Sequence, residues 1–233
     1  MQFNFIGTGG AFDFELGNSA ALVTRSDARL LIDCGHSVYA RLRQLGLAEQ
    51  LDAVLITHLH DDHVGSLSTL LYHRHFFTPG RPLRVLTPTP AFEAELLAYL
   101  AFAMQDARQY ARFESLSALP GLDYIDTTGR HVAGMSTFAY LVSDPAANGD
   151  TIAFSGDLGD AAYLFDQLRA RGVHPTTVYH DLCLYPNVSA HAHYRAIASA
   201  SEGFSVVGYH QDHRMNPPDN PIPLAATMPG LVL

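Results

Sequence analysis

Apolar residues come in short bursts along this chain, and most of the bursts predict strands. Residues 2–7 alternate apolar and polar side chains and stop at Gly7-Thr8-Gly9-Gly10. That pattern predicts a strand running into a turn. Ala20 to Thr24 and Ala28 to Asp33 predict two more strands, joined by Arg25-Ser26-Asp27, so the chain opens as a β-meander. Val38 to Leu45 has helical spacing and ends near Gly46. Leu51 to Thr57 is a short, continuous apolar run, as a strand buried on both faces requires. Residues 58–66 read as loop passing into a helix start, and Pro82 to Leu86 as a strand between proline-rich turns.

Residues 90–119 form the longest stretch with helical character. Phe92, Leu96, Leu97, Leu100, Met104 and Ala107 recur at helical spacing, which fits either a core-facing stripe or a helical lid over about 88–120. Tyr124 to Thr127, His131 to Gly134, Thr137 to Val142 and Thr151 to Ser155 read as strands, with a turn from Asp144 to Asp150. Helices are predicted over 160–171 and 191–201, and strands over Thr177 to His180 and Ser205 to Tyr209. Residues 1–214 read as one domain and 215–233 as a proline-rich tail. Strands mixed with helices in this order predict an α/β protein with two sheets and helices outside them.

Composition narrows the chemistry. Of 233 residues 48% are hydrophobic and only 16% charged, which suffices for a single sizeable core. No run of about 18 apolar residues occurs, so no membrane helix is expected. The first residues lack a basic region followed by an apolar stretch, so a cytoplasmic enzyme is expected. Cys34 and Cys183 are expected to be reduced thiols. The net charge is −9, and all 14 basic residues are Arg. Chemistry that needs a lysine is thereby excluded, and a grip on long nucleic acid is disfavoured. The 13 histidines direct attention to metals.

The decisive segment is Thr57-His58-Leu59-His60-Asp61-Asp62-His63, straight after the buried strand. Imidazole and carboxylate suit Zn²⁺ or another divalent transition metal. Four ligand-type residues within six positions exceed what one ion takes from one loop, which points to a dinuclear site.

This H-x-H-x-D-H run resembles the signature of metallo-β-lactamase-fold hydrolases. Gly7-Thr8-Gly9-Gly10 with Gly17-Asn18-Ser19, Leu31-Ile32-Asp33-Cys34-Gly35 and Ser155-Gly156-Asp157 are similar to segments of the ribonuclease Z branch. The resemblance implies an αββα four-layer sandwich and two divalent ions, zinc or manganese. It assigns His58, His60 and a later histidine to the first ion, with His131 preferred over His73 and His75. Asp62, His63 and His210 would hold the second, with His213 as a rival to His210. Asp157 would bridge the ions. His191 resembles the branch's general acid and Asp181 its orienting carboxylate, with His193 as a competitor. Asp62 could also orient the attacking water, and Asp33 would support the ligands. The other histidines, including His36, His174 and His180, are expected at the surface or in packing.

A tRNA-processing member carries a long arm between the third histidine and the bridging Asp. Here that interval, from His131 to Asp157, is used up by strands and a turn. The compact form resembles the anti-Pycsar proteins, homodimeric phosphodiesterases of cyclic mononucleotides. The resemblance therefore implies hydrolysis of a small 3′,5′-cyclic nucleotide by a homodimer. An RNA nuclease and a lactone or thioester hydrolase are the alternatives.

Overall fold

A computed structural model describes residues 1–146, 150–186 and 188–233. Six strands form the first sheet in chain order: β1 (Gln2–Gly7), β2 (Ala20–Thr24), β3 (Arg29–Ile32), β4 (Ala53–Leu55), β5 (Leu83–Thr87) and β6 (Ala111–Ser115). The opening meander pairs antiparallel, and β3 to β6 run parallel. The second sheet has the order β11-β10-β9-β8-β7, from β7 (Leu122–Asp126), β8 (Phe138–Ser143), β9 (Thr151–Phe154), β10 (Thr177–Asp181) and β11 (Val206–Tyr209). In it β7 to β9 are antiparallel and β9 to β11 parallel.

Parallel neighbours need crossover connections, and helices supply most of them. They are α1 (Val38–Gln44), α2 (Asp61–Val64), α3 (Leu67–Phe77), α4 (Pro90–Met104), α5 (Ala161–Arg171) and α6 (Tyr194–Ala200). Alternation along the strands sorts side chains into layers. In β8, Phe138, Tyr140 and Val142 join the core between the sheets, while Ala139 and Leu141 pack with Leu164, Phe165 and Leu168 of α5 and Ile197 of α6. On the other sheet, Leu42 of α1 and Leu67, Leu70 and Leu71 of α3 are fully buried. Aromatic rings join the two sheets: Phe3 stacks on Tyr179 at 3.8 Å and Phe5 packs on Tyr209 at 5.4 Å between centroids. The result is the four-layer αββα arrangement.

At one end of the sheets the turn after β2 is latched to the segment after β8. The Ser26 amide and hydroxyl donate to the Asp144 carboxylate at 2.9 and 2.5 Å. The turn expected from Asp144 to Asp150 lies partly outside the described residues, at 147–149.

Three expectations about elements need correction. The long helix ends at Met104, where Gln105 adopts φ 60°. Residues 107–109 are a single 3-10 turn, and 111–115 form the edge strand β6. Its Arg112 is exposed and Phe113 and Glu114 half-buried, the profile of a strand on a sheet margin. Residues 131–134 are not a strand but a turn, within a loop closed by the Thr127 amide donating to the Thr137 carbonyl at 2.9 Å. The segment 215–233 is docked: Leu224 and Ala225 are buried, and Phe5 of β1 exchanges backbone hydrogen bonds with Leu231 and Leu233 at 2.7 and 2.9 Å.

Candidate metal centre

Every predicted site residue lies just beyond, or in a loop near, the carboxyl end of a strand, where open α/β sheets form their clefts. Asp33 follows β3 and His58 and His60 follow β4, while Asp62 and His63 sit in α2. Asp157 follows β9, Asp181 ends β10 and His210 follows β11. His131 comes from the loop before β8, and His191 from the loop before α6.

These side chains converge in groups that share Asp157, and a further one joins Asp157 and His210 to Asp181 and His191. His58, His60, His131 and Asp157 each offer an atom within 4.8 Å of the others, and so do Asp62, His63, Asp157 and His210. In the first group, His60 Nδ1 is 3.1 Å from both His58 Nε2 and His131 Nε2. Those two Nε2 atoms are each 3.8 Å from Asp157 Oδ2. In the second, Asp62 Oδ2 lies 3.3 Å from His63 Nε2 and 3.2 Å from His210 Nε2. Asp157 Oδ1 is 3.2 Å from His63 Nε2, and Oδ2 is 3.5 Å from His210 Nε2.

The donor atoms fit divalent ions. Ligands on one tetrahedral Zn²⁺ at 2.0–2.1 Å stand roughly 3.3 Å apart, and these spacings bracket that value. His63 Nε2 and Asp157 Oδ1 are buried with no hydrogen-bond partner, an arrangement that is costly unless a cation satisfies both. Burial, with the neighbouring His63, pushes the His58 imidazole well below its usual pKa, which leaves it neutral, as a ligand must be. Burial opposes the charge on Asp157, but His210 and His63 outweigh it and hold the carboxyl well below the usual carboxylate range.

The far side of each ring is anchored. His58 Nδ1 donates to Thr57 Oγ1 at 3.0 Å, and that hydroxyl donates to Asp33 Oδ2 at 2.9 Å. His63 Nδ1 donates to the same Asp33 oxygen at 2.9 Å, and His131 Nδ1 to the Ala190 carbonyl at 2.7 Å. Such partners set ring tautomer and direction. The sequence reading gave Thr57 and Ala190 no anchoring role. A threonine beside a ligand histidine is a weak signal, and a backbone carbonyl leaves none.

Backbone geometry is spent here too. Asp33 and His210 hold left-handed φ values of 66° and 64°, which non-glycine residues rarely adopt and which gather at functional sites. Gly35 lets the turn after β3 touch α2, since a Cβ there would sit 1.8 Å from the Asp62 carbonyl oxygen.

His191 stands at the edge of this cluster. Its Nδ1 donates to Asp181 Oδ2 at 2.8 Å and lies 3.7 Å from Asp157. Asp181 is fully buried, and its Oδ2 also accepts from the Leu158 amide at 2.9 Å. Ser155, quoted in the sequence reading only as part of the Ser155-Gly156-Asp157 segment, accepts from the Asp181 amide at 2.8 Å. Burial opposes a charge on His191, but the Asp181 carboxylate outweighs it and raises the imidazole pKa to about 9. His191 is not on a helix start: α6 begins at Tyr194, with His193 as its N-cap. The rivals are placed elsewhere. His193 accepts from the Arg195 amide, His73 pairs with Glu49, His75 is exposed on α3, and His213 donates to Asp13. The cleft over the cluster encloses about 710 Å³ and is lined by His60, Asp62, His131, Asp157, His191 and His210 among others. Among the described residues that line it, none is an arginine. Among the described residues, no helix is long and apolar enough to cross a membrane.

A family model described as anti-Pycsar protein Apyc1 matches residues 1–217. A protein of that name from Bacillus phage vB_BveM-Goe7 is 44% identical over 94 residues. That match covers 40% of this chain and 36% of the relative, so the chain spans little more than a third of the phage protein. A namesake from Paenibacillus sp. (strain J14) is 29% identical over 196 residues, 79% of this chain and 77% of the relative. The metallo-β-lactamase fold protein YhfI from Bacillus subtilis superposes with a TM-score of 0.69 at 18% identity. It covers 94% of this chain and 89% of its own. The chain has the metallo-β-lactamase fold.

Proposed function

Because this chain belongs to the anti-Pycsar protein Apyc1 family, we propose that it is a dinuclear-metal phosphodiesterase that opens a small 3′,5′-cyclic nucleotide to the nucleoside monophosphate. The observation that carries this reading is the convergence of two four-donor groups on Asp157, with a histidine paired to a buried carboxylate beside them. His58, His60, His131 and Asp157 would hold one ion, and Asp62, His63, His210 and Asp157 the other. Zinc is the metal we favour, with manganese compatible with the same donors. Two such ions activate water near neutral pH and offset charge growing on phosphoryl oxygens.

The chain's own groups do the rest. Asp62 would both hold a metal and face the cleft, where it would accept a hydrogen bond from the attacking water and aim it. His191 carries a proton at neutral pH, because Asp181 stabilises the imidazolium, and delivers it from the ring nitrogen opposite that contact to the departing alkoxide. The absence of arginine from the cleft suits a compact substrate better than a long polyanion. Among the described residues, the interval between His131 and Asp157 carries β8 and β9, which supports a compact substrate over an RNA held by a long arm. We further propose that the protein is a homodimer, as the resemblance implies. Light scattering tests that assignment.

The catalytic test incubates purified, zinc- or manganese-loaded protein with 3′,5′-cyclic CMP, UMP, AMP and GMP. At least one is expected to yield its nucleoside monophosphate. No turnover of any of the four, with two metals per chain shown by elemental analysis, overturns the reading.

A further inference from the structure

Beside the metal cleft lies a second, more apolar chamber of about 620 Å³, within the roughly 300–1,000 Å³ typical of small-molecule sites. The two share Ala11, Phe12, His191 and His210, so the proposed proton donor stands at their junction. Phe14, Leu184, Tyr185 and Val188 wall the second chamber alone. Its rim is polar: Arg214 donates to Asp212, which also accepts from the Tyr185 hydroxyl at 2.8 Å.

Phe12 and Phe14 are 92% and 90% exposed, although they stand on a firmly tied turn. Asp13 between them is buried, and its carboxylate accepts from the Glu15 and Leu16 amides at 3.0 and 2.9 Å. It accepts twice more from His213, from the amide at 2.6 Å and the ring at 2.7 Å. The turn thus holds two large rings out in water without burying either in the fold. Rings kept bare on a fixed support beside a reaction cleft can stack on a flat partner with little further loss of freedom.

We infer that this chamber is the base subsite: a planar heterocycle, joined through its sugar to the phosphodiester in the metal cleft, packs against Phe12 and Phe14. This rests on the phosphodiesterase reading above and extends it to the substrate's non-reacting end. A leaving oxygen that receives its proton at His191 belongs to the sugar, and the sugar's other substituent then extends past His191 into the apolar chamber. Stacking is tolerant of base identity, because every base has a flat face. The rim, with Arg214, Asp212 and Tyr185, is where edges of the heterocycle meet donors and acceptors.

The test has a binding arm and a turnover arm, both on metal-loaded protein. In calorimetric titration, a nucleoside 5′-monophosphate is expected to bind roughly tenfold or more tightly than ribose 5-phosphate. Phe12→Ala/Phe14→Ala should remove most of that difference, and Phe12→Tyr/Phe14→Tyr should keep it. In turnover, the alanine pair is expected to raise KM for a cyclic nucleotide about tenfold. Phe14→Ala alone should leave kcat/KM for a base-free cyclic ribose phosphate within about twofold, because Phe14 lines only the second chamber. Equal loss on both substrates, or no preference for the base in the wild-type protein, overturns the subsite. A change in oligomeric state on alanine substitution, with base preference intact, overturns it in favour of a contact between copies. If no cyclic nucleotide is hydrolysed but the base preference exists and vanishes in the alanine pair, the subsite stands while the proposed reaction falls.

Discussion

His60 and His191 sit in one cleft, yet their surroundings assign them opposite duties. His60 turns Nδ1 toward His58 and His131, within the donor group, whereas His191 is pinned by Asp181 and lies beyond the first group. Replacing His60 by alanine should lower metal content, read by elemental analysis, and abolish phosphodiesterase turnover. Replacing His191 by alanine should leave metal content intact and cut kcat by about 10²-fold or more, the usual loss for a general acid. Metal loss in His191→Ala would mean that the ring is a ligand. The run from His58 to His63 was legible in the sequence because its spacing is local, one turn past a buried strand. His131, Asp157 and His210 were placed by family resemblance, since only the closed fold brings them within reach of that run. The anchoring roles of Thr57, Ser155 and the Ala190 carbonyl went unread for a plainer reason. Their work is hydrogen bonding set by tertiary contact, and the residue types advertise nothing.

At the scale of elements, the strands were easier to read than the longest helix. Short runs bounded by Gly, Pro and Asp announced β1 to β4 within a residue or two. Residues 90–119 misled because Ala-rich segments favour helix locally, whereas the pairing of 111–115 beside β5 is decided by the sheet. The C-terminal segment misled in the other direction, since proline-rich composition resembles a tail. Leu224 contradicts that reading, being 3% exposed in the cluster under α5 and α6. Leu224→Ala should therefore destabilise the protein by about 2–5 kcal/mol, as for a buried leucine. Urea unfolding measures it, and a change near zero would show the segment to be loosely attached.

For the whole molecule, the latch between Ser26 and Asp144 ties the two sheets together at the turns after β2 and β8. The Ser26 hydroxyl and then the Ala146 amide hold the Asp144 carboxyl down, at about 2. A pKa depressed in the folded state, against about 3.9 unfolded, stabilises the fold above the unfolded value. That contribution is lost as pH falls through the folded one. Wild type should therefore melt above Asp144→Asn at pH 6, and the gap in Tm should close between about pH 4 and pH 2. A gap that stays constant through that window would mean that the carboxylate's charge contributes nothing to the latch.

The division of the candidate metal donors between the sheets has a consequence for synthesis. His58, His60, Asp62 and His63 come from the first half of the chain, while His131, Asp157 and His210 come from the second. Proteins are made from the N-terminus at about 5–20 residues per second. A growing chain therefore displays half a binding site for several seconds, and the second donor group closes only when His210 has left the ribosome. An incomplete product carries the histidine run but lacks the geometry to use it, so the proposed hydrolytic capacity would arrive in one step, once His210 joins the folded site.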